Sequence, residues 1–398
     1  MKEFSNFKFH MYTDILFGKD TEQQVAEMII KHGGKKVMLV YGGGSIKKSG
    51  LYDTVVTKLN EAGLKFVELA GVQPNPRRSM AEKGLKLAQA ENVDFLLGLG
   101  GASSIDTAKA IAMGLANDGE FWQFYRGVEP KKMAPVGTIH TIAAAGSETS
   151  RSSVLLDDIE THRKYGFMWD ACRPVFAIMN PELTYSLPAY QTGVGAADIV
   201  AHTVNRYFVA PASYLGDQYA EGTLRTVVKY APIALAKPND YEARAELMLA
   251  GSFSHNDLTS IGRFSVKKGA EHTLETQLSG KYDTSHGAGL AVVMPAWLQY
   301  LVNHGEQIHV ERVAQFGVNV FGAEPGSDLK SVANEGLNRF RAWLTSIGMP
   351  ITLKQLGIPV EDLDDVIKNC NSNADGIIVS FLDLDKKAVA EIFTSALE

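Results

Sequence analysis

The chain has 398 residues, 45% of them apolar and 21% charged, with a formal net charge of −6. That length calls for two domains or more, and that composition for a soluble protein with sizeable cores. The acidic balance excludes a broad nucleic-acid surface, and two cysteines without CxxC spacing, Cys172 and Cys370, exclude a thiolate metal site or a disulfide framework. The first twenty residues lack an apolar signal core and no long apolar run follows, so the expectation is a cytoplasmic protein without a membrane partner.

The first half alternates strand and helix signals. "KKVMLVY" (35–41) is a short β-branched strand that meets "GGGS" (42–45), then a helical stretch through Leu51, Val55, Val56 and Leu59. "KFVELAG" (65–71) is a second strand, followed by "VQPNPRRS" and a helix over "MAEKGLKLAQAEN". "VDFLLGLG" (93–100) is a third, running into "GASS" and the helix "IDTAKAIAMGLA". Continuous apolar strands alternating with helices indicate a parallel sheet covered on both faces. Further strands are expected at 135–142, 152–157 and 174–180, with 180–188 as a linker. Beyond it the pattern is helical. Ala220, Leu224, Val227, Val228 and Ala231 form one stripe, and Ala333, Leu337, Phe340 and Leu344 another, which Gly348 and Pro350 close. The expected organisation is an α/β domain over 1–187 and an all-helical domain over 188–398.

Two glycine turns, "GGGS" at 42–45 and "GGASS" at 100–104, each join a strand to a helix. Glycine lets backbone approach a ligand, and a helix N-terminus presents unpaired N–H groups that suit phosphate. Neither turn is GxGxxG or a Walker A loop, but two at one end of a parallel sheet lie where such sheets bind ligands. An NAD site would place a carboxylate after an early strand; here Gly42 stands there, with Ser45 and Lys47 nearby, which favours a 2′-phosphate and hence NADP(H).

In "GVGAADIVAHTVNRY" (193–207), Asp198 and His202 are four apart and share a helical face. The spacing suits a surface pair as well as half of a metal site. His272 and His286 are 14 apart; on a straight helix they would be separated by about 21 Å. Both can reach one ion only if the chain turns between them, and Gly280 with Asp283-Thr284-Ser285 carries the break signal. One carboxylate with three imidazoles suits Fe²⁺ or Zn²⁺ and is too nitrogen-rich for Mg²⁺ or Ca²⁺. His255, His304 and His309 read as surface or packing residues, Trp297 as core, "PRRS" as the start of a helix and 361–369 as a solvated helix face.

Several stretches in order resemble the iron-containing (group III) alcohol dehydrogenases, most of all their butanol dehydrogenase-like branch. They are "LVYGGGSIKKSGLYD", "GVQPNP", "GLGGASSIDTAKAIA", "TIHTIAAAGSETSRSSVL", "NPELTYSLPAYQTGVGAADIVAH" and "YDTSHGAGLAVVMPAW". The resemblance covers nearly the whole chain. It implies a Rossmann-like dinucleotide-binding domain and a helical-bundle domain, the dehydroquinate synthase-like fold, with cofactor and metal meeting between them in a homodimer. It also implies a divalent metal, Fe²⁺ or Zn²⁺, held by Asp198, His202, His272 and His286. It places Gly42, Gly43, Gly44, Ser45, Asn75, Gly100, Gly101, Ser103 and Ser104 along the adenosine and pyrophosphate, and Thr141, Ser150 and Lys164 beside the nicotinamide. The implied activity is hydride transfer between NADP(H), or NAD(H), and a small alcohol or aldehyde such as butanol or butanal.

The chain departs from the family pattern at four places. Ala102 replaces a glycine of the pyrophosphate turn; Thr276 and Gln277 stand where relatives carry a His-Glu pair; "VKKGAEH" replaces a Trp-containing stretch; and Asn205 stands where a glutamate is frequent. Lys267 and Lys268 keep open a polyol or sugar-phosphate substrate on the same fold. Ala102 and Thr276 keep open a nucleotide-binding sensor without catalysis.

Overall fold

The computed structural model describes residues 6–263, 267–370 and 372–397. The chain divides into two compact units, one of His10–Leu187 with Pro238–Ser252, the other of Pro188–Lys237 with the chain from Phe253 onward and the residues up to Phe9. The return of 238–252 to the first unit differs from a single cut after residue 187. Its cause is local: Met248 is buried with Ala177 and Met179, and the Ser252 carbonyl accepts the Thr149 hydroxyl at 3.2 Å.

The first unit is built on strands β1 (Asp14–Phe17), β2 (Lys36–Tyr41), β3 (Lys65–Leu69), β4 (Phe95–Gly100), β5 (Val136–His140), β6 (Ser152–Leu156), β7 (Lys164–Met168) and β8 (Phe176–Met179). Six of them form one sheet in the order β1-β8-β5-β4-β2-β3, and every pairing in it is parallel. β4 and β5 are buried along their full length; β4 reads as an unbroken apolar run for that reason, whereas β5 carries the buried polar residues Thr138 and His140. The strand expected at 152–157 forms, but outside this sheet: β6 pairs antiparallel with β7. Only seven residues separate β6 from β7, enough for a hairpin but too few for a parallel crossover. β1 and β7 carried no sequence signal, being short and only partly buried.

Helices α1 (Val25–Lys31), α2 (Ser45–Lys48), α3 (Leu51–Glu61), α4 (Arg78–Ala90), α5 (Ala102–Ala116) and α6 (Trp122–Tyr125), with the returning segment 238–252, complete the first unit. α5 is buried from Ser104 to Gly114. Its one lysine survives there because the Lys109 ammonium donates to the carbonyls of Ser147, Ser150 and Ser152 at 2.7–3.1 Å, with Asp106 held nearby through Ser147. This cage ties the loop after β5 to α5.

The second unit contains α7 (Ala189–Tyr207), α8 (Tyr214–Ala236), the end of α9 (Tyr241–His255), α10 (Glu271–Tyr282), α11 (His286–His304), α12 (Gln307–Phe321), α13 (Leu329–Ser346), α14 (Leu353–Leu356), α15 (Leu363–Asn369) and α16 (Lys386–Ser395). Both predicted stripes face inward, with Val228 alone at the edge of its own. Gly348, at φ +74°, ends the chain's run after α13. Trp297, Phe208, Phe316 and Phe340 make the aromatic core. Asp217 is buried between Arg263 and Arg312, and the Arg312 guanidinium lies 3.8 Å above the Tyr207 ring. Among the described residues no helix is long and apolar enough to cross a membrane.

Candidate metal centre

α7 presents Asp198 and His202 on one buried face, with His202 Nε2 3.4 Å from Asp198 Oδ1. His272, on the first turn of α10, completes a cluster whose ligand atoms lie within 4.8 Å of one another. The His202 and His272 ring centroids are 4.5 Å apart. His286, the first residue of α11, places its Nε2 4.0 Å from the same Asp198 oxygen. The four predicted residues are therefore gathered in one place, all within the second unit.

Two features of the backbone bring His272 and His286 together. α10 runs through Gly280 and stops at Asp283, whose left-handed conformation (φ 52°) reverses the chain, so the break lies at the aspartate and not at the glycine. The next helix begins with His286-Gly287, and a Cβ on Gly287 would sit 2.1 Å from the Val194 carbonyl. Only glycine allows α11 to approach α7 this closely, one turn before Asp198.

Each of these two imidazoles is held from behind by a fully buried carboxylate. His272 Nδ1 lies 2.8 Å from Glu271 Oε1, and His286 Nδ1 bonds Glu275. A carboxylate fixes the proton on Nδ1 and leaves the Nε2 lone pair facing forward. The Nε2 of His272 is buried and has no hydrogen-bond partner among the described residues, a costly condition that a cation would relieve. His202 is placed differently. Burial, with the nearby His255, His272, Arg206 and His286, pushes its pKa well below the ordinary 6.5. Neutral imidazoles and one carboxylate are a donor set that fits a divalent first-row cation.

His255, expected as a surface or packing residue, packs against the cluster itself: its ring stacks on His202 with centroids 4.0 Å apart. Its signal was hidden because it comes from α9, 53 positions from His202 in the chain. Glu271 and Glu275 were also missed, although they flank His272 with i,i+4 spacing on α10. His304 pairs with Glu391 and His309 closes the capping box of α12, so neither joins the centre. The Thr276 hydroxyl donates to the Thr273 carbonyl at 2.9 Å. Lys267 is ion-paired with Asp383.

The expected cofactor residues lie in the first unit. Gly42 follows β2, Gly100 ends β4 and Thr141 follows β5, three adjacent parallel strands, so these turns share one sheet edge. Gly100 needs its glycine: its φ is +130°, and the Thr141 amide donates to its carbonyl at 3.1 Å. Gly101 caps the N-terminus of α5, which carries Ser103 and Ser104. Ala102 is the first helical residue there and lies outside the positive-φ residues, so its methyl strains nothing. The turn of Gly42, Gly43, Gly44 and Ser45 opens α2, only four residues long, so the anion-favouring end of a full helix exists at the second turn alone. Asn75 is buried with φ 53° in the loop after β3. Ser150 is buried and its hydroxyl meets that of Ser152 at 3.1 Å, while Lys164 opens β7 on the separate hairpin.

The chain thus carries a parallel-sheet Rossmann-like unit and a helical unit in which a carboxylate and imidazoles cluster. The family model described as iron-containing alcohol dehydrogenase matches residues 13–181. The C-terminal model of the Fe-containing alcohol dehydrogenase family matches 191–397. The chain is 38% identical to NADH-dependent butanol dehydrogenase A of Clostridium acetobutylicum, covering 98% of each. It is 32% identical to an NADPH-dependent aldehyde reductase of Escherichia coli, covering 92% of each. The crystal structure of NADH-dependent butanol dehydrogenase A from Thermotoga maritima superposes with a TM-score of 0.93 at 35% identity, over 100% of both chains. The chain belongs to the iron-containing alcohol dehydrogenase family, in its butanol dehydrogenase-like branch, and is an oxidoreductase of the NAD(P)-dependent alcohol dehydrogenase type.

Proposed function

We propose that the protein is a metal-dependent aldehyde reductase and alcohol dehydrogenase acting on small primary alcohols and their aldehydes, with butanol and butanal as the reference pair. The observation that carries this reading is the cluster of Asp198, His202 and His272, with His286 against the same aspartate. In it these four residues hold one divalent cation, Fe²⁺ or Zn²⁺. When bound, the cation supplies a Lewis acid for a carbonyl oxygen, and the nicotinamide supplies the hydride. The chain itself supplies orientation. Asp198 contributes the negative charge, the three imidazoles contribute nitrogen lone pairs, and the partial exposure of His272 and His286 leaves the cluster open on one side. Thr276 gives its hydroxyl proton to a helix carbonyl, so the alkoxide proton is assigned to water or a ribose hydroxyl.

For the cofactor the reading is NADP(H), with NAD(H) also accepted. Gly42 offers no carboxylate after β2. The acidic group on the neighbouring strand, Glu68, accepts the hydroxyls of Tyr41 and Tyr52, and the Lys47 ammonium lies 4.6 Å from the Tyr52 ring. The relatives named NADH-dependent weigh toward NAD(H), so the ratio of kcat/KM for NADPH and NADH is the deciding quantity. The Lys267–Asp383 pair weighs against a phosphate-bearing substrate. Kinetics on butanal, glyoxal-type aldehydes and glycerol with each cofactor, after loading with each metal, test the whole reading. Turnover confined to glycerol would replace it with a polyol dehydrogenase, and a metal-loaded protein that turns over none of them with a sensor.

A further inference from the structure

We propose that Glu271 and Glu275 are positioning residues for the metal: each orients one imidazole through its Nδ1 and raises its affinity for the cation. This rests on the reading that Asp198, His202, His272 and His286 hold an ion. Both carboxylates are fully buried on α10, where an ionised group is expensive unless it is hydrogen-bonded. Glu275 bonds His286. Glu271 Oε1 receives His272 Nδ1 at 2.8 Å and the Asn205 amide at 2.7 Å.

The surroundings fix the carboxylates in turn. Asn205 also donates to the Gly269 carbonyl at 3.0 Å, and the Gly269 amide returns a bond to the Asn205 carbonyl at 3.0 Å. A Cβ on Gly269 would lie 2.1 Å from Glu271 Oε2, and one on Gly289 would lie 2.7 Å from Glu275 Oε1. Bare backbone thus makes room for each carboxylate beside its histidine. Two independent elements, the loop before α10 and the second turn of α11, have been left without side chains at the points where these glutamates sit.

The arrangement is also unequal. Among the interactions described, His272 and His286 each have a carboxylate behind Nδ1, whereas His202 has the His255 ring against its face. A carboxylate partner increases the basicity of the imidazole and pins its tautomer, and losing such a partner costs metal sites about 10- to 100-fold in affinity.

The test is Zn²⁺ binding to metal-stripped full-length protein, measured by competition with a chromophoric chelator, alongside the melting temperature of each metal-free variant. Glu271→Gln and Glu275→Gln are expected to raise the Zn²⁺ dissociation constant about 10- to 100-fold with little change in metal-free melting. Asn205→Leu, which leaves every ligand and both glutamates in place, is expected to raise it several-fold and serves if a glutamine variant fails to fold. Wild-type affinity, within twofold, in all folded variants would overturn the assignment while leaving the ion site standing. A wild-type protein that binds no Zn²⁺ would overturn the ion site itself, and this inference with it.

Discussion

The two halves of the proposed centre are built by different means. Asp198 and His202 come from one helix, and their relation is set by the pitch of α7 alone. His272 and His286 come from two helices, and their relation depends on a left-handed aspartate, a glycine pressed against α7 and two buried glutamates. The first half is local. The second is assembled, so distant substitutions should reach it. The difference teaches that ligand identity and ligand placement can be written in separate parts of a sequence.

Removing a shared ligand should break both halves together. Asp198→Ala is expected to lower kcat/KM for butanal reduction by about a thousandfold, the loss of several kcal/mol of electrostatic stabilisation, with metal content near zero by elemental analysis. Gly287→Ala should damage the assembled half. Its Cβ meets the Val194 carbonyl, and overpacking of this kind costs about 1–3 kcal/mol, readable as a lower denaturation midpoint with reduced metal occupancy. Gly289→Ala should have a smaller effect, displacing Glu275 and weakening Zn²⁺ binding several-fold while global stability moves by about 1 kcal/mol. His255→Phe should be mildest. It keeps an aromatic ring against His202, and metal affinity is expected to stay within about threefold of wild type by the same scale. A loss above tenfold would show that the fourth imidazole belongs to the donor set.

How far the sequence could be read follows the same division. The buried strands β2 and β4 announced themselves as continuous apolar runs, and α8 and α13 as stripes, because their burial is encoded by neighbours along the chain. Asp198 and His202 were visible by helical spacing. The convergence of His272 and His286 was legible only as a requirement that the chain turn, and family resemblance supplied the assignment. Glu271, Glu275 and His255 were not legible, since what marks them is tertiary: burial beside an imidazole in the first two and stacking across helices in the third. The departure at Asn205 has its reason here as well. An amide can donate to Glu271, whereas a glutamate there would set one buried carboxylate against another. The short β1 and β7 escaped notice because a few half-buried residues carry no period.

The most direct test of the centre is butanal reduction by one preparation before metal removal, after exhaustive chelation, and after titration with Fe²⁺ or Zn²⁺. The account predicts that activity disappears on stripping and returns in proportion to bound metal, reaching its maximum at one ion per chain. Undiminished reduction by the stripped protein, or recovery that ignores the number of ions bound, would contradict it.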